Sequence, residues 1–395
     1  MTCTNDKNDS CWSRSARPIL GLSPMDGITN APYRFIAAKY GRPDVVFTEF
    51  VPVAGLMHAA TRLLLDFEYA EIERPVVAQV YGSDPQAFYA VVHLVCELGF
   101  DGIDINMGCP AKNVAGRGAG AGLIRTPKLA QAVVRAVQRG IADWCDGQDA
   151  VHAGVPAEVM AAAESAIARH RAVCGGARRA IPVSVKTRIG YDSVVIADWV
   201  RTLLEVEPAA ISVHGRTLKQ LYRGAADWEA IALAATLVRG TTTQVLGNGD
   251  LTDAAAIVER LQTTDVAGVL IGRASMGNPW IFAAARVGMG RGDAHAVVEP
   301  TLPQRFAALL EHAAQLETFN AGNSFPHVYR LVKPYTHGVP DAAALRAALM
   351  AARSVREMTV AVQQFLDACA LTHDHLREQP SLGHCASPGE PDVRT

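Results

Sequence analysis

A chain of 395 residues, 49% hydrophobic and 19% charged, can bury the core of a large α/β domain with a smaller partner, and none of its apolar runs is long enough to span a bilayer. A formal net charge of −2 and a pI near 6.6 exclude nucleic-acid binding through overall basicity and leave only a local basic face for that purpose. Eight scattered cysteines, with no Cys-x-x-Cys pair and no secretory leader, predict a reduced, cytoplasmic protein without a structural zinc or iron–sulfur cluster.

In chain order, residues 1–17 are polar and read as a disordered lead-in. From Pro18 to about Phe282, short β-branched runs alternate with longer Ala/Leu-rich stretches, which predicts a parallel sheet with crossover helices. Eight strands are expected: Ile19 to Ser23, Val45 to Thr48, Val76 to Val80, Gly102 to Asn106, Pro182 to Lys186, Ala209 to His214, Gln244 to Asn248 and Ala267 to Gly272. That number closes a (β/α)8 TIM barrel, expected over residues 18–290. Between strands four and five, Thr126 and Pro127 read as the N-cap and first turn of one helix. A second helix is expected from Pro156 to about Ala172, within an insertion at about 143–178. Beyond the barrel, Phe306, Leu309, Leu310, Ala313 and Leu316 recur at helical spacing, as do apolar residues from Ala342 to Phe365, which gives a small all-α domain at 300–375. Residues 378–395 read as a disordered tail.

The expected strands end in chemically useful residues: Pro24-Met25-Asp26, Glu49, Gln79, Asn106 with Cys109, Lys186 with Arg188, His214 with Arg216, Asn248-Gly249-Asp250, and Gly272-Arg273. In a barrel these ends converge on the face where active sites are built. The stretch from Asp104 to Lys112 concentrates the chemistry, because Gly108 and Pro110 fix the direction of the Cys109 thiol. The alternative is a structural cysteine at a strand end. The loops Gly247 to Asp250 and Ile271 to Arg273 suit the phosphate of a mononucleotide cofactor, with backbone N–H groups and Arg273 as donors. Lys186 and His214 place a cation where a reduced flavin would carry negative charge, and Gln79 suits the ring's polar edge, so the set favours FMN. The run from Gly116 to Gly122 lacks the G-x-G-x-x-G spacing and predicts a mobile loop near the mouth instead of a dinucleotide site.

The strings Asn106-Met-Gly-Cys-Pro-Ala-Lys112, Val185-Lys-Thr-Arg188, Val213-His-Gly-Arg-Thr217, Gly247-Asn-Gly-Asp250 and Ile271-Gly-Arg273 resemble, in that order, those of the tRNA-dihydrouridine synthases. The opening Pro24-Met25, Gly27-Ile28-Thr29 and Pro32-Tyr33-Arg34 also resemble that family, and Tyr329-Arg330-x-x-Lys333 is similar to its C-terminal RNA-binding domain. The resemblance implies an FMN enzyme that takes electrons from NADPH and reduces the C5–C6 bond of particular uridines in tRNA. It also implies roles for individual residues. Cys109 would be the general acid, Asn106 would lie against the uracil and Arg188 would face the substrate. Pro24, Met25, Asp26, Gln79, Lys186, His214, Asn248, Gly249, Asp250, Gly272 and Arg273 would hold FMN, and Arg330 and Lys333 would meet tRNA.

In that chemistry hydride passes from flavin N5 to C6, and a thiol that stays protonated at neutral pH supplies the proton to C5. The target base must first leave its stack. A monomer without metal or membrane contact is expected, with Arg346, Arg353 and Arg356 as further RNA candidates and Arg346 and Arg353 on one helix face. Two alternatives stay open: an FMN barrel acting on a free pyrimidine, similar to dihydroorotate dehydrogenase, and a catalytically silent tRNA-binding protein. The insertion is longer than the family pattern implies, and neither the uridine position nor NADPH over NADH follows from the residues.

Overall fold

Runs of Val, Ile and Leu suit strands buried on both faces, and eight of them close a parallel barrel in chain order in the computed structural model, which describes residues 12, 17–292, 299–319 and 325–377. The strands are β1 Ile19–Leu22, β2 Val45–Pro52, β3 Val76–Tyr81, β4 Gly102–Met107, β5 Val183–Arg188, β6 Ala210–His214, β7 Gln244–Asn248 and β8 Gly268–Ile271. Closure comes from β1 against β8, with Gly21 opposite Leu270 and Leu22 opposite Ile271. The largest departure from expectation is β2, which continues past Thr48 to Pro52. A register shift between Phe47 and Phe50 lets it do so and re-aims the side chains between them.

Four of the eight strands lead into helices that a polar side chain caps. Asn30, Asp84, Asp227 and Asp253 accept from the N–H groups of Tyr33, Gln86, Ala230 and Ala256 at 2.8 to 3.1 Å. Each bond satisfies a donor that the first helical turn leaves orphaned. Thr126 differs from expectation: the helix Pro127–Cys145 does start there, but the threonine side chain makes no capping bond. The second helix of that region is Ala157–Cys174.

One end of the barrel is plugged by a layer of Ile19, Val45, Phe47, Val77, Ala210, Leu246 and Leu270. Trp12 belongs to this layer, which corrects the expectation of disorder at that position. It is 2% exposed, its ring centroid lies 6.0 Å from that of Phe47, and its carbonyl accepts from Gln244 at 3.0 Å. Apart from Trp12 and Arg17, the segments 1–17 and 378–395 lie outside the described residues.

Among the described residues, four helices follow the barrel: Leu302–Phe319, Phe325–Tyr335, Ala342–Ala351 and Val355–Arg377. They share a core of Phe306, Leu309, Val328, Val332, Tyr335, Leu345, Leu349 and Met358, and Trp280 of the barrel joins it. At about 1.5–3 kcal/mol for each large apolar side chain removed from water, this core stabilises the domain, and the burial of Trp280 in it ties the domain to the barrel. Arg353 lies between the last two of these helices, so Arg346 and Arg353 do not share a helix face as expected; the Arg353 N–H is bonded to Glu357 at 2.8 Å. Among the described residues, no helix is long and apolar enough to cross a membrane.

Candidate functional site

The strand ends open into a cavity of about 1060 Å³. Pro24, Met25, Asp26, Asn106, Cys109, Lys186, Arg188, His214, Asn248, Gly249, Asp250, Gly272 and Arg273 all line it. Three of the expected site residues do not. Gln79 is fully buried in the barrel interior, while Arg330 and Lys333 stand exposed on the helix Phe325–Tyr335. Arg330 still reaches the rim, because its Nη1 donates to the Gly27 carbonyl at 3.2 Å.

The Cys109 turn is built from the barrel interior outward. Asn106 Oδ1 accepts from the N–H groups of Gly108 at 3.0 Å and Cys109 at 2.8 Å. A backbone N–H can only donate, so the Asn106 oxygen must face the turn and its amide nitrogen must face inward. That nitrogen donates to Gln79 Oε1 at 3.0 Å, which commits Gln79 Nε2 to Asp104 Oδ2 at 2.7 Å. Ser184 Oγ donates to the other Asp104 oxygen at 2.6 Å. A fully buried carboxylate thus fixes the orientation of two amides and the placement of one thiol. Asp104 and Ser184 were missed from sequence. The available signal was period-two spacing, which puts Asp104 on the same strand face as Asn106.

Two further contacts clasp the turn. Arg188 Nε donates to the Gly108 carbonyl at 2.6 Å and Nη1 to the Thr217 carbonyl at 3.2 Å, so this arginine braces the thiol loop as well as lining the cavity. Ala121 N donates to the Cys109 carbonyl at 3.2 Å. Gly120 has φ +55, and a Cβ there would come 3.0 Å from the Cys109 carbonyl oxygen. The second half of the glycine run is packed instead of loose: Gly120–Arg125 form a 3-10 turn whose first five residues are buried, while Gly116 and Arg117 before it stay exposed. Glycine permits close packing here.

Burial pushes the Cys109 thiol above its ordinary value, and Asp26 adds to the shift, against the pull of the Ala111 N–H, Arg188 and Lys186. The thiol is therefore protonated at neutral pH. Lys186 is pulled the other way, down to about 8, by burial and then by Arg188. Its Nζ meets Asn248 Oδ1 at 3.2 Å, and among the described residues no carboxylate lies within ion-pair distance of it. Burial, followed by Lys186, Arg188, Arg216 and Arg273, holds His214 down at about 2. His214 is thus a neutral hydrogen-bonding group, which leaves Lys186 as the cation of the pair. Asp250 accepts from Arg216 and from the Ala226 N–H, both at 2.7 Å, and lies 3.8 Å from Arg273. Its carboxylate therefore orders the arginines.

The donor set fits an anionic, phosphate-bearing ring cofactor. Lys186, Arg188 and Arg273 line the cavity, Arg216 and Arg273 share the Asp250 carboxylate, and the buried Arg216 Nη1 has no hydrogen-bond partner among the described residues. Gly249, at φ +133, keeps the β7 turn close to His214, where a Cβ would lie 3.2 Å from the imidazole Cδ2. Among the described residues, no group of His, Cys, Asp and Glu is arranged to hold a metal.

A family model described as dihydrouridine synthase matches residues 21–143 and 157–372. Among curated proteins, the "Probable tRNA-dihydrouridine synthase" of Staphylococcus epidermidis is 29% identical over 358 residues, covering 88% of this chain and 94% of the relative. The "Probable tRNA-dihydrouridine synthase 2" of Bacillus subtilis is 32% identical over 281 residues, covering 69% and 74%. Among solved structures, DHODH from Eimeria tenella in complex with ferulenol aligns with a TM-score of 0.46 and 11% identity over 69% of this chain and 81% of that one. At that distance the alignment decides nothing about function.

Proposed function

The chain belongs to the dihydrouridine synthase family, and from that premise we propose that it is a tRNA-dihydrouridine synthase, an oxidoreductase that uses FMN and NADPH to reduce the C5–C6 bond of uridines in tRNA. The observation that carries this reading is a neutral Cys109 thiol held at the edge of a cation-rich cavity. FMN, once bound and reduced by NADPH, supplies the hydride that adds to C6. Lys186, lacking a carboxylate partner, stabilises negative charge on the ring, and His214 and Asn248 orient it by hydrogen bonds. Arg273 and the backbone N–H groups of the β7 and β8 loops suit the phosphate. Gln79, which does not line the cavity, acts on the site through Asn106, whose amide it orients.

Cys109 gives its proton to C5 as the C5–C6 π bond is lost, and the thiolate then takes a proton from solvent. Asn106 fixes the direction of that thiol, and Arg188 holds the same loop from the other side. A cavity of about 1060 Å³ has room for the ring with a uracil laid against it, provided the base has left its stack. The exposed Arg330, Lys333, Arg346, Arg353 and Arg356 of the helical domain offer the RNA backbone a local positive face on a chain of near-neutral charge. A free-pyrimidine oxidoreductase would have no use for that domain.

Purified protein incubated with FMN, NADPH and an unmodified tRNA transcript is expected to form dihydrouridine, read by mass spectrometry of nucleosides, and to leave orotate and free uridine unchanged. Rapid reduction of orotate with none of tRNA would move the assignment to the free pyrimidine.

A further inference from the structure

The helical domain is tied to the barrel at two kinds of place. At the C-terminal end of the helix Ala31–Tyr40, Lys39 Nζ and Tyr40 Oη donate to Glu311 at 2.5 and 2.6 Å, and neither residue lines the cavity. The other ties end on loops that line the cavity. Arg330 holds the Gly27 carbonyl, two residues after Met25. Gly277, at φ +65, is packed so closely on the end of the helix Phe325–Tyr335 that a Cβ would strike the Pro334 carbonyl group.

The most directional tie runs through Tyr33, which is 7% exposed. Its ring meets His312 of the helical domain edge-on, with centroids 5.7 Å apart, and His312 Nδ1 faces Tyr335 Oη at 3.3 Å. The Tyr33 hydroxyl lies 2.8 Å from Ser275 Oγ, and Ser275 Oγ donates to the Gly272 carbonyl at 2.7 Å. Because the serine proton is committed to that carbonyl, Tyr33 is the donor to serine, and the chain of bonds has one sense.

The geometry points to a second role for the helical domain: by clamping Tyr33 onto Ser275 it gives the Gly272–Arg273 loop a single conformation, so Tyr33 is a positioning residue for the cofactor phosphate. This rests on the flavin reading above. It also makes the domain that carries the RNA candidates Arg330 and Lys333 part of the scaffold of the cofactor loops.

The test is FMN affinity of the full-length protein, measured by quenching of flavin fluorescence, together with the melting temperature of the flavin-free form. Tyr33→Phe removes one bond of the chain and is expected to weaken FMN binding about threefold to tenfold, the usual worth of one hydrogen bond, and Ser275→Ala removes both bonds made by the Ser275 hydroxyl and is expected to weaken it at least as much. Tyr40→Phe removes a bond across the same domain junction and is expected to leave FMN affinity unchanged, while lowering the melting temperature about as much as Tyr33→Phe does. Wild-type affinity in Tyr33→Phe and Ser275→Ala, or equal weakening in Tyr40→Phe, overturns the positioning role. A wild-type protein that binds no FMN overturns both this role and the flavin reading, which separates the two failures.

Discussion

Cys109→Ala is expected to lower uridine reduction by about 10²- to 10⁴-fold, the usual worth of a positioned general acid, while the protein still binds FMN and oxidises NADPH. In the proposed mechanism the cysteine supplies a proton, while other residues lining the cavity, Lys186, His214, Asn248 and Arg273, would hold the ring. Alanine fits where the thiol stood, and the turn keeps its bonds because Asn106 and Ala121 address the Cys109 backbone alone. The two half-reactions therefore come apart: anaerobic reduction of the bound flavin by NADPH proceeds at the wild-type rate, and single-turnover transfer to tRNA collapses. The pH profile carries the same signature. Burial raises the thiol's pKa, so the acid form persists through neutrality and transfer declines only as pH climbs beyond the ordinary thiol range. A variant within threefold of wild type in tRNA reduction would remove Cys109 from the acid role.

The second large effect belongs to Lys186. Lys186→Met keeps most of the side-chain volume and deletes the charge, and it is expected to slow flavin reduction about 10²- to 10³-fold, as loss of one preorganised electrostatic contact does in other enzymes. Titration gives an independent check on the flavin-free protein. The folded amine has its pKa lowered from 10.5 to about 8, so between these values the unfolded chain binds more protons than the folded one. Unfolding free energy therefore rises with pH across that window, and the rise is absent in the methionine variant. Urea unfolding at pH 7.5 and pH 10 reads the difference. An unchanged reduction rate in Lys186→Met would assign the ring's charge to another group.

The barrel was legible because its strands are short β-branched runs and nearly every one ends in a polar or glycine-rich group. That pattern places Lys186, His214 and Asn248 at one mouth without any knowledge of packing. What was not legible depends on which side chains share an interior. Asp104 reads as one acid within an apolar strand, and its role as orienter of Gln79 and Asn106 exists only because β3, β4 and β5 are neighbours. His214 reads in sequence as a group that could titrate near neutrality, and it is held neutral by burial and then by Lys186, Arg188, Arg216 and Arg273. The glycines near Gly120 look like freedom in sequence and serve close approach to Cys109 in the fold. Trp12 lies in a polar stretch with no apolar neighbours to announce burial, and only the open end of the barrel gives it a partner.

The most direct test of the central claim is the dihydrouridine content of tRNA, position by position, from cells with and without this gene, read by mass spectrometry. Loss at a defined position, restored by the wild-type gene and not by Cys109→Ala, is the predicted result and would name the uridine. Unchanged dihydrouridine at every position, in cells with no other synthase, would contradict it.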